Sequence, residues 1–313
     1  MLSSLLSLPC FLLLQGAEAA FPVGQAALEL VGFLAWFGVF GALGFHFFVL
    51  GRTAGLRPAA GAADAGIPLL ADRRAARVGL AGALLLLVSL VADAAGQAAE
   101  KHLSLGAVIQ RGGPRLLLPL ACAVALLLCF ALWRQRSAWV GAALVGLVFA
   151  LRNLATVRAT GKWQTLVNPL HELAASLWIG TLFVVVVAGL PAILRGGGPA
   201  GRRGPLVAEL VARFSNLALV AAGLLGVTGV VTAWRHLKRW SSLWTTPYGY
   251  TLDVKLSIVL IVVALGAWNW RRMRPRLGTE EAALAIARSA RAELAFAGLV
   301  LMITAVLVSL PSP

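Results

Sequence analysis

The chain has 313 residues, of which 60% are hydrophobic and only 12% are charged, whereas a soluble domain normally carries about 25% charged residues. The apolar residues come in blocks long enough for a helix to cross hydrocarbon, so an ordinary soluble fold is excluded and an all-α polytopic membrane protein in contact with the lipid bilayer is predicted. The net charge of +15 lies in short loops between these blocks, where it sets membrane orientation, so nucleic acid is not an expected partner.

The first residues have the pattern of a secretory leader. An apolar stretch from Leu2 to Leu14 is followed by Ala17-Glu18-Ala19, which matches the small-residue pattern of a cleavage site. Residues 1–19 are therefore predicted to be a signal peptide. The alternative is an uncleaved extra helix, because no Lys or Arg precedes the apolar stretch.

About eight transmembrane helices are predicted after this segment. They are expected at residues 25–50, 77–96, 115–133, 138–156, 168–191, 211–235, 253–271 and 291–311. We divide them into an N-terminal four-helix half, residues 20–160, and a C-terminal four-helix half, residues 161–313.

The basic residues predict the orientation of these helices. The loops on one side hold 17 Lys and Arg residues, and those on the other side hold 9. Cytoplasmic loops carry the excess of basic residues, so both ends of the mature chain are expected on the outer side.

The histidines are the candidate metal ligands, because neutral imidazole binds copper and zinc. Three of them, His102, His171 and His236, are expected near the outer face and could converge on one ion. Each could instead bind water or a backbone carbonyl at a helix end. His46 is expected near the inner face, as a packed or hydrogen-bonded residue.

Four further residues are candidates for supporting a site or a pathway. Glu172 follows His171, and Trp178 lies two turns further along the same helix face. Lys255 either snorkels to the interface or forms an intramembrane pair with a carboxylate such as Glu172. Tyr248 belongs to a Trp-rich segment that is expected to be either an aromatic anchor at the membrane surface or a lid over an outer metal site.

No sequence signature of hydrolytic, phosphoryl-transfer or dinucleotide chemistry occurs in the chain. We therefore predict that the protein is not an enzyme.

Two segments resemble the signatures of the copper resistance protein D (CopD) family. His171 with Trp178-Ile179-Gly180 is similar to the family's first segment, and Thr246-Pro247-Tyr248-Gly249 with Lys255 and Asn269 is similar to its second. The resemblance implies a bacterial cytoplasmic membrane protein of copper uptake and tolerance, often with a periplasmic copper-binding partner. It also implies that His171 is a ligand or pathway group.

We therefore expect a copper homeostasis or import protein that takes copper at an outer histidine site and passes it between helices. The oxidation state of the copper is left open. Two alternatives remain: a haem-binding electron-transfer protein, and a membrane assembly factor that transports nothing.

Overall fold

The computed structural model describes residues 23–51, 66–133, 135–160, 162–195, 203–237, 240–273 and 278–310. It is 93% helical, and the described residues contain no strand. The predicted all-α membrane fold is thus confirmed. The predicted signal peptide lies outside the described residues.

Ten α-helices are found in these ranges. In chain order, α1 to α10 are Val23–Gly44, Gly66–Glu100, Leu105–Gly112, Pro114–Ala131, Gln135–Thr160, Val167–Val184, Leu190–Arg195, Arg203–His236, Pro247–Met273 and Glu280–Ser309. Two π-helical segments, Phe45–Leu50 and Val185–Gly189, continue α1 and join α6 to α7.

Six of the predicted spans are long and apolar enough to cross a membrane. They are Val23–Leu50, Gly66–Glu100, Val167–Arg195, Arg203–Arg235, Pro247–Trp268 and Glu280–Ser309. The predicted count of eight is not confirmed by these criteria.

The two remaining predicted spans, residues 115–133 and 138–156, are not long and apolar enough by themselves, for different reasons. Helix α4 has 18 residues and passes only when it is joined to α3, from which it is bent by 103°. Gly113, between the two helices, has a φ of 50°, a left-handed conformation that ends one helix before the next begins. In α5 the apolar part, Ser137–Ala150, is shorter than a span.

Helix α1 is the centre of the bundle, because glycines let two other helices approach its backbone. A Cβ atom on Gly38 would lie 2.9 Å from Cα of Gly82 in α2. A Cβ atom on Gly41 would lie 2.8 Å from Cα of Gly180 in α6, and one on Gly180 would overlap the carbonyl oxygen of Phe37. Small residues permit such close crossings in membranes. The sequence runs Gly38, Gly41 and Gly44 in α1 and Gly223, Gly226 and Gly229 in α8 predict smooth faces for close helix packing. This prediction is confirmed for the run in α1.

The glycine run in α8 differs from this prediction. A Cβ atom on Gly223 or Gly226 would have no described atom within 4 Å, whereas Gly229 lies against His171. Glycine spacing alone does not reveal which face of a helix meets a neighbour, so the predicted packing role is wrong for the first two glycines of this run.

The bundle has two ends that matter for function. We call one the His171 end, which holds His171 and Thr228 in contact and, nearby, Tyr248 packed against Leu307. We call the other the His46 end, where His46 contacts Asp72 and Gly204 lies against Gly278.

The close crossing of α1 and α6 predicts the effect of adding a methyl group. Gly180→Ala should lower the stability of the protein by about 1–3 kcal/mol, as overpacking does elsewhere, because rigid backbone blocks the new methyl group. Gly226→Ala is the matched control, since its Cβ position is open, and it should be neutral or gain up to about 1 kcal/mol. Thermal unfolding in detergent measures both variants, and equal midpoints for the two would contradict the packing described here.

Candidate functional site

His171 lies in the first turns of α6 and faces α8. It is half-buried, and its Nδ1 atom lies 3.0 Å from the Oγ1 atom of Thr228. An imidazole inside a membrane helix is costly unless it is hydrogen-bonded or used. This contact therefore marks the place where α6 and α8 meet as a candidate site.

The hydrogen bonds around Thr228 indicate which ring nitrogen carries the proton. Its hydroxyl donates to the carbonyl of Leu224 at 2.6 Å, so its oxygen remains as an acceptor for His171. The carbonyl of Leu225, 3.4 Å from the same hydroxyl oxygen, is a further acceptor beside the ring. The neutral ring then has its proton on Nδ1 and its lone pair on Nε2.

This arrangement prepares Nε2 as a metal ligand. Histidines that bind metals usually donate their other ring N–H to an oxygen, which fixes both the tautomer and the ring orientation. Thr228 fulfils that role for His171. Sequence reasoning identified His171 but missed Thr228.

A second bridge joins the same two helices one turn away. The hydroxyl of Thr232 donates to Oδ1 of Asn168 at 2.9 Å. Asn168 and His171 are three residues apart on α6, and Thr228 and Thr232 are four apart on α8, so each pair shares one helix face. This polar spacing in two apolar helices was the signal that could have revealed the site.

Gly229 forms the wall behind the ring. A Cβ atom at this position would lie 3.3 Å from Cε1 and 3.7 Å from Nδ1 of His171. The first distance is tighter than an ordinary van der Waals contact, so any larger residue would press on the imidazole. Gly229 therefore allows the ring to approach the backbone of α8 closely.

Lys255 of α9 contributes positive charge to this region. It is half-buried, and its ammonium acts electrostatically on His171. Among the described residues, no hydrogen bond or ion pair of this ammonium is found. A positive charge repels a metal cation in a low-dielectric setting, so the ammonium of Lys255 weakens the binding of a cation at His171.

The other predicted ligands are placed as follows. His236 is the last residue of α8, and its side chain lies outside the described part of the structure. His102 is exposed in the turn after α2, with a φ of 49°. Within the described residues, no group of three or more His, Cys, Asp or Glu side chains could hold a metal ion. Convergence of His171, His236 and His102 on one ion stays a prediction.

The supporting residues lie at different levels of the bundle. Glu172 is half-buried next to His171 on α6. Trp178 packs against the core around the π-helical segments, further from the His171 end. Tyr248 is buried with Leu252 and Leu307 at the His171 end.

The Trp-rich segment after α8 lies at the surface of the bundle. Trp240 and Trp244 are 66% and 59% exposed, and the Trp240 ring meets that of Trp234 at 5.6 Å between centroids. Exposed tryptophans at the end of a membrane helix are typical of an interfacial anchor. Their exposure favours the anchor interpretation of this segment over that of a lid.

Part of the chain is similar to known proteins. Residues 208–307 match the family model described as copper resistance protein D. The copper transport protein CutJ of Bacillus subtilis (strain 168) is 32% identical over 148 residues, which cover 47% of this chain and 25% of that protein. The chain thus spans about a quarter of the length of this relative. No solved structure matches the chain. Part of this chain is thus similar to copper resistance protein D and to a copper transport protein.

Proposed function

We propose that this chain is a copper transport protein of a bacterial cytoplasmic membrane, which takes up copper at His171 and passes it between its helices. The family match and the relative named as a copper transport protein support a copper-related function in a membrane. The single observation that carries the proposal is the fixed imidazole, with Nδ1 bonded to Thr228 and Nε2 left for a ligand.

The distribution of basic residues supports the membrane orientation that uptake at His171 requires. The His171 end belongs to the side with 9 Lys and Arg residues, against 17 on the other, so it faces the periplasm under the positive-inside rule. Both ends of the mature chain then lie in the periplasm, where a copper-binding protein could deliver the metal.

Polar atoms inside α6 support passage along this helix. Ser176 and Thr181 are fully buried, and their hydroxyl groups have no hydrogen-bond partner among the described residues. A buried unpaired hydroxyl is costly. Both residues lie between His171 and the His46 end, where they would give a cation polar contacts on its way.

Weak binding also suits a carrier better than a storage protein. A single imidazole beside the charge of Lys255 holds a cation loosely, and a loosely held ion can leave.

The family is known by copper resistance rather than by an enzymatic activity, and we propose no catalytic step.

Replacement of His171 tests the proposal directly. His171→Ala should reduce copper accumulation in cells to the level seen without the protein, because the entry ligand is lost. Leu170→Ala, at an exposed position one residue earlier, is the matched control and should leave accumulation unchanged. Metal analysis of cells gives the result, with membrane levels of both variants checked. Normal accumulation in the His171→Ala cells would refute the entry role of this residue.

Thr228 should matter through the orientation of the ring. Thr228→Val keeps the shape of the side chain but removes the oxygen that accepts from Nδ1. Loss of the group that orients a metal-binding histidine typically lowers metal affinity or activity by about tenfold to a hundredfold. Thr228→Ser restores the oxygen and should behave like the native protein. Initial rates of copper uptake at limiting copper compare the three proteins, and equal rates would show that Thr228 does not position the ring.

Lys255 should lower the affinity of copper for His171. Lys255→Leu should raise the copper affinity at His171 about tenfold, since a nearby charge at an effective dielectric of about 20 contributes on the order of 1–2 kcal/mol. Lys255→Arg keeps the charge and should change the affinity little. Competition with a copper chelator on purified protein measures both variants, and a lower affinity in Lys255→Leu would mean that the ammonium supports the site instead.

A further inference from the structure

A second polar cluster lies at the His46 end, away from the site described above. Nδ1 of His46 lies 2.8 Å from Oδ1 of Asp72, and Nε1 of Trp133 donates to Oδ2 of Asp72 at 2.9 Å. His46 and Asp72 are only 16% and 22% exposed. The three residues come from the π-helical continuation of α1, from α2 and from the chain just after α4.

The hydrogen bonds leave one ring nitrogen of His46 for a ligand. The carboxylate of Asp72 accepts from the indole through one oxygen and from Nδ1 of His46 through the other. A histidine held in this way by a carboxylate has a fixed orientation and a more basic second nitrogen. Nε2 of His46 has no hydrogen bond among the described residues.

His46 also lines a cavity of about 600 Å³. The cavity is otherwise mainly apolar and aromatic, with Phe40, Phe47 and Trp139 in its wall. The ring of Phe47 lies 4.9 Å from that of His46 and 4.6 Å from that of Trp139, between centroids. His46 therefore borders a space with several aromatic side chains in its wall, and aromatic rings attract cations through their faces.

The backbone at His46 departs from a regular helix. Phe45–Leu50 is π-helical, and so is Val185–Gly189 on the neighbouring helix. Phe45 contacts Gly189, so the two segments meet in the core. Isolated π-helical turns occur frequently at functional sites, and here one of them contains the imidazole that lines the cavity.

We propose that His46, Asp72 and Trp133 form a second binding site, which takes a monovalent soft metal cation, Cu(I), on Nε2 of His46. Imidazole is a suitable ligand for copper, and the aromatic wall adds cation–π attraction. The carboxylate of Asp72 supplies one negative charge next to the ligand ring. That charge balances a monovalent cation in the low-dielectric cavity and leaves a divalent one uncompensated.

This site is distinct from the one at His171. Thr181 of α6 contacts Gly44, two residues before His46. Thr181 lies ten positions after His171 on α6, which corresponds to a rise of about 15 Å. One ion therefore cannot bind both imidazoles, and the second site would receive copper that has crossed most of the bundle. The identity of the cation rests on the proposed function.

The test uses purified full-length protein in detergent, without oxygen, and Cu(I) in competition with bathocuproine disulfonate. The His171→Ala protein removes the first site and should still hold one Cu(I) per chain. His171→Ala/His46→Asn should hold none, because the asparagine amide can donate to Asp72 but offers no imidazole nitrogen. His171→Ala/Asp72→Asn should bind Cu(I) about tenfold to a hundredfold more weakly, because this is the typical effect of losing a group that orients a metal-binding histidine. Thermal unfolding verifies that each variant is folded.

Three outcomes would overturn this second site. One is a folded His171→Ala protein that binds no Cu(I), and another is a folded double variant with His46→Asn that still binds it. The third is a haem absorption band in the native protein that His46→Asn abolishes, which would make the cavity a haem site. None of these depends on whether His171→Ala changes copper accumulation in cells, so a failure of the second site is distinguishable from a failure of the proposed function.

Discussion

The contact between Gly41 and Gly180 is the constraint on which the rest of the structure depends. It brings the backbones of α1 and α6 together without intervening side chains. These are the helices that carry His46, just beyond the end of α1, and His171, near the start of α6. A rigid crossing between them keeps the two imidazoles at a constant separation along the bundle. The positions of both polar clusters therefore depend on two residues that have no side chain.

Both clusters follow the same physical rule, although their partners differ. In each, Nδ1 of a histidine is bonded to an oxygen from a neighbouring helix, Thr228 in one and Asp72 in the other. The neutral hydroxyl orients its ring without adding charge, and Lys255 adds a positive charge nearby. The carboxylate orients its ring and adds a negative charge. The electrostatic difference favours a cation at the His46 end over the His171 end.

Much of the fold could be predicted from the sequence, because long apolar blocks admit few structures in a membrane. The six strongest spans were located by this reasoning, whereas the α3–α4 bend depends on the backbone conformation at Gly113, which hydropathy does not report. His171 was recognisable as a polar group in an apolar helix. Its partner Thr228 was not, because threonine is common in membrane helices and its role depends on which face of α8 meets α6. Asp72 was missed for a related reason, since it lies outside the predicted second span of residues 77–96.

The bond between His171 and Thr228 ties the orientation of the imidazole to the position of α8. The ring is attached to one helix covalently and to the other by a single hydrogen bond, with Gly229 as the surface on which it rests. A tilt of α8 relative to α6 would turn the ring and redirect Nε2. A movement of α8 at the surface of the bundle would therefore reorient the imidazole of His171 and open or close the coordination position at Nε2.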